Sequence, residues 1–238
     1  MTLTTTATRR CRDDLESLAR QAGRDLEEAS AAEIVRWAAD TFGDRFAVTS
    51  SMQDTALAHL VSQQVPGVDV VFLDTGYHFP ETVGTADAAS VTIPINLVTV
   101  RPRQTVAEQD ATLGPDLYRR NPELCCQLRK VAPLERALTN YDAWATGIRR
   151  DESPTRANTP VVSWDDRRGK VKIAPLARWT QEDVDRYVAD NGVLTNPLLD
   201  DGYPSVGCWP CTRRVAEGED ARAGRWAGRA KTECGIHR

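Results

Sequence analysis

The fold class follows from the stretch Phe46-Ala-Val-Thr-Ser-Ser-Met-Gln-Asp54 and from the residues on either side of it. Its first four residues form a short apolar run, which predicts a buried strand, and Ser50 and Ser51 end that strand. Residues 31–40 before it and 54–64 after it carry apolar side chains at helical spacing. The sequence therefore predicts a helix, a buried strand, a polar turn and a second helix in succession.

The same alternation continues along the chain. Further strands are predicted at 68–73, at 91–100, where Pro94 interrupts the run, and at 142–147. Further helices are predicted at 80–89, 123–138 and 180–190, the last opening with a Thr-x-x-Asp cap. Such alternation implies a mostly parallel sheet. We expect a single doubly wound α/β domain over residues 1–199, with a helical N-terminal segment at 13–42, and a basic, Gly/Pro-rich extension over 200–238.

Composition excludes several classes of protein. The chain has 238 residues and a formal net charge of −4, which argues against a general nucleic-acid binder. No apolar run approaches the roughly 20 residues that a membrane-spanning helix needs. The threonine-rich start has no apolar segment of the kind found in a signal peptide. We therefore expect a cytoplasmic protein with no membrane or nucleic-acid partner.

The six cysteines are unevenly placed. Five lie in the second half, as Cys125-Cys126, Cys208-Trp-Pro-Cys211 and a single Cys234. Two close pairs can supply four thiolates to one metal centre, and the fifth cysteine, in a polar and glycine-flanked segment, could act as a nucleophile. Spacing alone leaves an iron-sulfur cluster and a structural zinc ion equally open. A disulfide framework is disfavoured because it suits short secreted chains.

Positive charge concentrates in the extension around Cys234. A run of charge is usually only a solvated face, but cations beside a candidate nucleophile favour an anionic small substrate. The cations are Arg213, Arg214, Arg222, Arg225, Arg229, Lys231 and Arg238.

Polar turns follow three of the predicted strands, at 50–55, 73–82 and 147–156. In a doubly wound sheet, ligands bind beyond the carboxyl ends of the strands, near a change of winding direction. Hydroxyls and backbone N–H groups in the first turn could hold a phosphate. The sequence therefore predicts a ligand site where these turns meet.

Taken together, these residues resemble the adenylyl-sulfate (APS) reductases, within the wider family of APS and PAPS reductases. The resemblance spans nearly the whole chain. Members that reduce PAPS typically keep the Glu-Cys-Gly-(Leu/Ile)-His motif but lack the paired cysteines, so the presence of both points to APS. Besides the cysteine pairs, the matching motifs are Ser50-Ser-Met-Gln-Asp54, Leu73-Asp-Thr-Gly76, Phe79-Pro-Glu-Thr82, Arg149-Arg-Asp151, Ser153-Pro-Thr-Arg156 and Glu233-Cys-Gly-Ile-His237.

The resemblance implies an adenine nucleotide alpha hydrolase-like fold, also described as ATP pyrophosphatase-like, and a [4Fe-4S] cluster. The implied cluster ligands are Cys125, Cys126, Cys208 and Cys211. Neighbouring side chains on a regular helix diverge by about 100°, so a local distortion is expected where Cys125 and Cys126 both reach one cluster.

The resemblance also implies a mechanism. Cys234 attacks the sulfur of APS, AMP leaves, and reduced thioredoxin releases sulfite from the resulting S-sulfocysteine. The phosphosulfate would lie near Lys130, Arg222, Arg225 and His237. The adenosine would lie against Ser50, Ser51, Leu73, Gly147 and Arg149.

Other functions stay open at this point. PAPS reduction is one, and a tRNA-thiolating protein of the ATP-pyrophosphatase group, with iron-sulfur or zinc, is another. The first turn lacks the double glycine of those pyrophosphatases, and the acidic balance also argues against a nucleic-acid substrate. A zinc-binding interaction module with an exposed Cys234 is a third alternative. The sequence leaves a homo-oligomer open and assigns no role to His78 or Cys11.

Overall fold

The computed structural model describes residues 10–228, 231 and 233–237. Within these residues, strands β1 to β6 form one sheet. The strands are β1 Phe46–Ser50, β2 Val68–Leu73, β3 Ile95–Val100, β4 Ala143–Thr146, β5 Val162–Asp165 and β6 Lys170–Ile173.

Helices alternate with the first four strands and then follow the sheet. Short 3-10 turns occur in several of the connections. The α-helices are α1 Arg12–Asp25, α2 Ala31–Phe42, α3 Ala56–Ser62, α4 Pro80–Thr92, α5 Val106–Leu113, α6 Leu117–Arg120, α7 Pro122–Cys126, α8 Ala132–Ala137 and α9 Gln181–Asn191.

The strand order β3-β2-β1-β4-β6-β5 places a change of winding direction between β1 and β4. The chain moves outward from β1 through β2 to β3, and then returns to the other side of β1 to form β4. All neighbouring strands are parallel except β5, which is antiparallel to β6. The predicted doubly wound, mostly parallel sheet is confirmed, and its crevice falls between β1 and β4.

Different helices cover the two faces of the sheet. On one face, Val48 of β1 belongs to the same apolar core as Ile34 of α2. On the other face, Ala47 and Trp144 pack with Leu134 of α8. Because successive strand residues point to opposite faces, burial of both faces explains why the strands read as continuous apolar runs.

Helix starts follow local side-chain chemistry. The predicted cap of α9 is confirmed: the Asp183 N–H donates to Thr180 Oγ1 over 3.1 Å, and the Thr180 N–H donates to the Asp183 carboxylate over 2.9 Å. The same reciprocal arrangement joins Ser30 and Glu33 at the start of α2. These contacts lie within four residues, which is why the sequence shows them.

The strand predicted at 91–100 is shorter in the structure. Helix α4 extends to Thr92, beyond the predicted end at residue 89, and β3 begins only at Ile95. Pro94 lies between them and cannot donate a backbone hydrogen bond, so neither element continues through it. The hairpin of β5 and β6 and the helices α1, α5 and α6 were not resolved as separate elements by the sequence patterns.

The helix predicted at 123–138 is interrupted. Helix α7 ends at Cys126, a π-helical turn covers Gln127–Val131, and α8 follows. Pro133 in the first turn of α8 has no N–H for the carbonyl of Arg129, so a regular α-helical ladder cannot pass this point. A π-helical turn directly after Cys126 is the kind of local distortion expected beside the cysteine pair.

Hydrogen bonds fasten the extension to the carboxyl edge of the sheet. The Val206 N–H donates to Gln53 Oε1 over 2.9 Å, and the Trp209 N–H donates to the Tyr77 carbonyl over 2.8 Å. The division of the chain near residue 199 stays a prediction. In the part of the chain described, no helix combines the length and apolar character needed to cross a membrane.

Candidate active site

A cavity of about 180 Å³ opens at the carboxyl edge of the sheet, at the change of winding direction. Ser50 at the end of β1, Leu73 at the end of β2 and Gly147 after β4 all line it. The structure also brings the other predicted substrate-contacting residues and the predicted nucleophile to this cavity. These are Ser51, Lys130, Arg149, Arg222, Arg225, Cys234 and His237.

The turn after β1 is held in an unusual backbone conformation. Met52 has φ +57°, a left-handed value that is uncommon for a residue with a side chain. Its N–H donates to Ser50 Oγ over 3.2 Å, and its carbonyl accepts from Asn196 Nδ2 over 3.0 Å. Asn196 is fully buried, so this contact is shielded from water. The turn that presents Ser50 and Ser51 to the cavity is thus anchored by a distant residue.

Arg149 is fixed at the end of β4 before any ligand binds. Its Nη2 donates to Gln181 Oε1 over 2.6 Å, and its backbone N–H donates to Glu152 Oε2 over 2.8 Å. Arg149 is 7 % exposed, so the side chain lies in the wall of the cavity and not on the outer surface. A preorganised guanidinium of this kind suits recognition of a polar ring or an anion.

Lys130 and Arg225 approach the cavity from different segments. Burial lowers the pKa of Lys130, but the sulfurs of Cys208, Cys234 and Cys126 raise it above its ordinary value overall. The Arg225 guanidinium donates to Ser205 Oγ over 3.1 Å and lies over the Trp226 ring at 4.6 Å. Both side chains are therefore held as cations beside Cys234.

Cys234 is buried against Cys126. A hydrogen bond from the Cys126 thiol lowers the pKa of Cys234 most. Burial opposes that effect, and Lys130, the Ile236 N–H and Arg225 lower the pKa further, so that it lies well below its ordinary value. The same hydrogen bond and burial raise the pKa of Cys126. While Cys126 is a free thiol, the site therefore favours an anionic sulfur at Cys234 over one at Cys126. A metal-bound Cys126 would have no proton to donate, and Lys130, Arg225 and the Ile236 N–H would then be what lowers the pKa of Cys234.

His237 lies in the cavity wall close to Cys234. Its backbone N–H donates to the Cys234 carbonyl over 3.2 Å, which closes a tight turn. Its Nδ1 atom is buried without a hydrogen-bond partner among the described residues. Burial, with the charges of Lys172 and Arg156, lowers the pKa of His237 well below its ordinary value. A neutral imidazole with a free nitrogen is available there to a ligand.

The predicted metal ligands lie in two segments, Cys125 and Cys126 on α7 and Cys208 and Cys211 at the turn around Trp209. Cys125 and Cys208 share an apolar cluster with Tyr77, and the Cys211 N–H donates to the Cys208 carbonyl over 2.9 Å. Burial raises the pKa of Cys125 to about 12, and nearby Cys208 and Cys211 add to the rise. Cys125 and Cys208 therefore lie in one apolar surrounding, with Cys211 near enough to affect the Cys125 thiol, while Cys126 contacts Cys234.

A single metal ion would need its sulfur ligands about 3.8 Å apart, as follows from a zinc–sulfur distance of about 2.3 Å. Among the described residues, no group of three or more His, Cys, Asp or Glu side chains lies close enough to share one ion. Cysteine thiolates are also the usual ligands of a [4Fe-4S] cluster. The cysteines on α7 and on the Cys208–Cys211 turn fit that donor set in chemistry.

The sequence did not single out three further residues of the cavity wall. Arg156 and Glu152 form an ion pair with each other, and Arg156 also binds Glu233. His78 donates from Nε2 to the Leu73 carbonyl over 2.8 Å, and burial lowers its pKa to about 4. Arg156 lies inside a recognised motif and His78 lies in the polar turn at 73–82. The sequence did not reveal their contacts, because Glu233 is distant from Arg156 along the chain and His78 binds a backbone carbonyl.

The sequence is similar to those of known proteins. Residues 45–214 match the family model described as phosphoadenosine phosphosulfate reductase domain. An adenosine 5'-phosphosulfate reductase of Streptomyces coelicolor is 69% identical over 228 residues, which cover 96% of this chain and 97% of that protein. A protein of the same name from Mycolicibacterium smegmatis is 52% identical, with 100% of this chain and 99% of that protein covered.

Solved structures agree with the assigned fold. The phosphoadenylyl-sulfate (PAPS) reductase of Candida auris, in a phosphate complex, matches with a TM-score of 0.69 and 28% identity, over 84% of this chain and 97% of that one. An FMN adenylyltransferase of Candida glabrata matches with a TM-score of 0.53 and 13% identity, over 94% of this chain and 85% of that one, and so shares the fold alone. From the matched domain and the near full-length relatives, the chain belongs to the family of APS and PAPS reductases.

Proposed function

We propose that the chain reduces adenosine 5'-phosphosulfate (APS) to sulfite and AMP in sulfate assimilation. The observation that carries the proposal is the position of Cys234, which lines the same cavity as Lys130, Arg222 and Arg225. A nucleophile among cations suits a substrate whose reacting end is a phosphosulfate, because two anions must approach each other there. The relatives with high identity carry the name of this activity.

The first step forms a bond between the sulfur of Cys234 and the sulfur of the substrate's sulfo group. The bond from that sulfur to the bridging oxygen breaks, and its electron pair leaves with AMP. Lys130, Arg222 and Arg225 stabilise the negative charge that develops on the phosphate. His237 contributes a buried ring nitrogen at the same wall.

The second step consumes a dithiol, which we take to be reduced thioredoxin. One donor thiolate attacks the Cys234 sulfur, and sulfite leaves with the electron pair of the broken sulfur–sulfur bond. The second donor thiol then resolves the mixed disulfide and restores the Cys234 thiol. Two electrons pass from the dithiol to the sulfo group in total. Because Cys234 is only 7 % exposed, the donor reaches it after the segment around Glu233 and Gly235 has moved away.

The adenosine end belongs at the strand termini. Ser50, Ser51 and Leu73 line one side of the cavity there, and Gly147 with Arg149 lines the other. A Cβ on Gly147 would meet no atom within 4 Å, so that wall is open to a flat ring. Ser50 and Ser51 offer hydroxyl groups to a ribose, and we expect APS to be preferred over its 3'-phosphorylated counterpart PAPS.

A [4Fe-4S] cluster fits Cys125, Cys126, Cys208 and Cys211. Bound there, the cluster would join α7 to the extension and place a charged centre beside Lys130. It would also engage Cys126, whose thiol contacts Cys234 in the structure. Iron and acid-labile sulfide in protein purified without oxygen test this part, and zinc without sulfide would contradict it.

The deciding experiment measures sulfite and AMP released from APS and from PAPS with reduced thioredoxin. We expect stoichiometric sulfite and AMP from APS, and a clearly lower kcat/KM for PAPS. A matched reaction with thioredoxin whose two active cysteines are replaced by serine should give at most one sulfo transfer per chain. Equal kcat/KM for the two nucleotides would remove the preference for APS, and no sulfite from either would refute the function.

A further inference from the structure

Glu233, the residue before the proposed nucleophile, makes a buried ion pair with Arg156. Arg156 Nε donates to Glu233 Oε1 over 2.7 Å, and Arg156 Nη2 donates to Glu233 Oε2 over 2.9 Å. The two side chains are 9 % and 12 % exposed. A two-point contact between a guanidinium and a carboxylate fixes orientation as well as distance. It therefore fixes the backbone next to Cys234.

The body of the protein holds Arg156 in place independently of Glu233. Glu152 Oε2 accepts a hydrogen bond from Arg156 Nη1 and another from the backbone N–H of Arg149. Glu233 is bound on a second side as well, since Thr155 Oγ1 donates to its Oε1 over 3.2 Å. The contact thus runs in an unbroken series from the end of β4 to the residue beside Cys234.

Other charges facing this pair do not replace it. Arg222 Nη2 lies 3.6 Å from Glu233 Oε1, which is beyond hydrogen-bond distance. Lys231, whose side chain is 2 % exposed, is already paired with Glu123 at 2.7 Å. Removing Glu233 therefore leaves Arg156 paired with Glu152 on the body of the protein and takes away both hydrogen bonds that join Arg156 to the Cys234 segment.

We propose that Arg156 and Glu233 are positioning residues, whose ion pair holds Cys234 inside the cavity. The pair acts on the reaction through Cys234 and does not itself touch the reacting atoms. Its consequence for turnover rests on the proposed function. Its effect on the placement of the segment 233–237 does not, because that placement exists without any substrate.

The test compares Glu233→Gln with Glu219→Gln in the full chain, purified without oxygen so that bound metal is retained. Glu219 pairs with Arg213 in the same extension at 2.8 Å, but those side chains are 38 % and 46 % exposed, so the second variant makes the same chemical change at a solvated pair. Backbone hydrogen–deuterium exchange, measured by mass spectrometry on peptides containing residues 233–237, reports how often the segment leaves its place. It does so without depending on the thiol.

We expect hydrogen–deuterium exchange in that peptide to become roughly 10-fold to 100-fold faster in Glu233→Gln. This factor corresponds to the loss of one charge-assisted hydrogen bond that opposes local opening of the segment. Glu219→Gln should match the wild type, and peptides covering β4 should exchange equally in all three proteins. Unchanged exchange at 233–237 in Glu233→Gln would overturn the proposal. Equal acceleration across β4 would overturn it as well, because the pair would then serve general stability.

A double-substitution cycle tests the pairing itself. If the two residues act as a unit, Arg156→Gln together with Glu233→Gln accelerates exchange no more than the single changes do. Acceleration equal to the product of the single effects would show two separate roles and overturn the pairing.

Kinetics separate this inference from the proposed function. With APS in a single turnover, Glu233→Gln should slow the formation of the sulfo-enzyme roughly 10-fold or more while AMP affinity stays unchanged. A wild type that forms no sulfo-enzyme would refute the function and leave the exchange result standing. Normal sulfo transfer by Glu233→Gln would overturn the positioning role and leave the function standing.

Discussion

Replacing Arg225 with methionine removes a cation from the cavity while keeping a long side chain. The guanidinium donates to Ser205 Oγ over 3.1 Å and to the Val206 carbonyl over 3.3 Å, so the protein holds it in place before a ligand arrives. Its Nε has no hydrogen-bond partner among the described residues. This N–H can donate to an anionic ligand without a further loss of side-chain conformational entropy, because the guanidinium is already held in place.

The expected loss depends on which end of the ligand Arg225 faces. A charge-assisted hydrogen bond lost from a poorly hydrated anion costs about 1.5 to 3 kcal/mol, or about 10-fold to 150-fold in affinity. We expect the affinity for APS to fall by that factor if the guanidinium faces the sulfate-bearing end. The affinity for AMP, which lacks that end, should fall by less than about fivefold, which is the contribution of a solvated ion pair.

Isothermal titration calorimetry of both nucleotides gives the two affinities, with Cys234→Ser as the common background so that APS is not consumed. Arg214→Met is the matched control, because Arg214 lies on the exposed surface with its guanidinium 5.6 Å from the Tyr203 ring centre and does not line the cavity. Equal losses for APS and AMP would refute the assignment of Arg225 to the sulfate end. No loss for either would remove Arg225 from the site.

Gly207→Ala displaces the same guanidinium without removing it. A Cβ at this position would lie 2.4 Å from Arg225 Nη2, too close for both to keep their places. We expect a loss of APS affinity in the same direction as for Arg225→Met, and little change for AMP. An unchanged APS affinity would show that the guanidinium can shift and still reach the ligand.

Cys234→Ser should abolish turnover while circular dichroism and iron content stay as in the wild type, and sulfite release at the wild-type rate would contradict the nucleophile assignment. Serine in place of Cys125, Cys126, Cys208 or Cys211 should lower the amounts of iron and acid-labile sulfide per chain. Cys11→Ser, at the exposed cap of α1, is the control and should leave both amounts unchanged. Full iron content after any of the four changes would remove that residue from the ligand set. Gly23→Ala should lower the free energy of unfolding by about 1–3 kcal/mol, because its Cβ would lie 2.6 Å from the Val162 carbonyl oxygen. Gly84→Ala, whose Cβ would meet nothing within 4 Å, should raise the free energy of unfolding by up to about 1 kcal/mol. Denaturant titration measures both, and equal changes would contradict the close approach of α1 to β5.

The strands and helices of the sheet could be predicted from the sequence because their causes are local. Apolar runs at 46–49 and 68–73 become β1 and β2, since each strand is buried on both faces. The Thr180–Asp183 cap lies within one helical turn and could be predicted from the sequence for the same reason. Predictions were wrong where one residue overrode a pattern, as at Pro94, and at Pro133, where a single helix was expected.

The candidate site could be predicted in part from the order of strands and polar turns along the chain. Because the carboxyl ends of parallel strands meet at one edge, polar turns after β1, β2 and β4 had to converge, and the structure places Ser50, Leu73 and Gly147 on one cavity. Their roles in binding substrate stay predictions. So do the four cluster ligands, the thioredoxin donor and a cytoplasmic location, and the oligomeric state stays open.

The sequence by itself determined the alternation of elements, the edge at which ligands bind and the motif that contains Cys234, because each depends on residues that are neighbours in the chain. Only the tertiary structure decided which charges meet there. Arg156 and Glu233 are 77 residues apart, and nothing in the spacing of either motif distinguishes a guanidinium that binds a carboxylate from one that faces solvent. Their pairing depends on where the extension returns to the end of β4. That return is set by contacts of many residues along the described part of the extension, such as those of Val206 with Gln53 and of Trp209 with Tyr77.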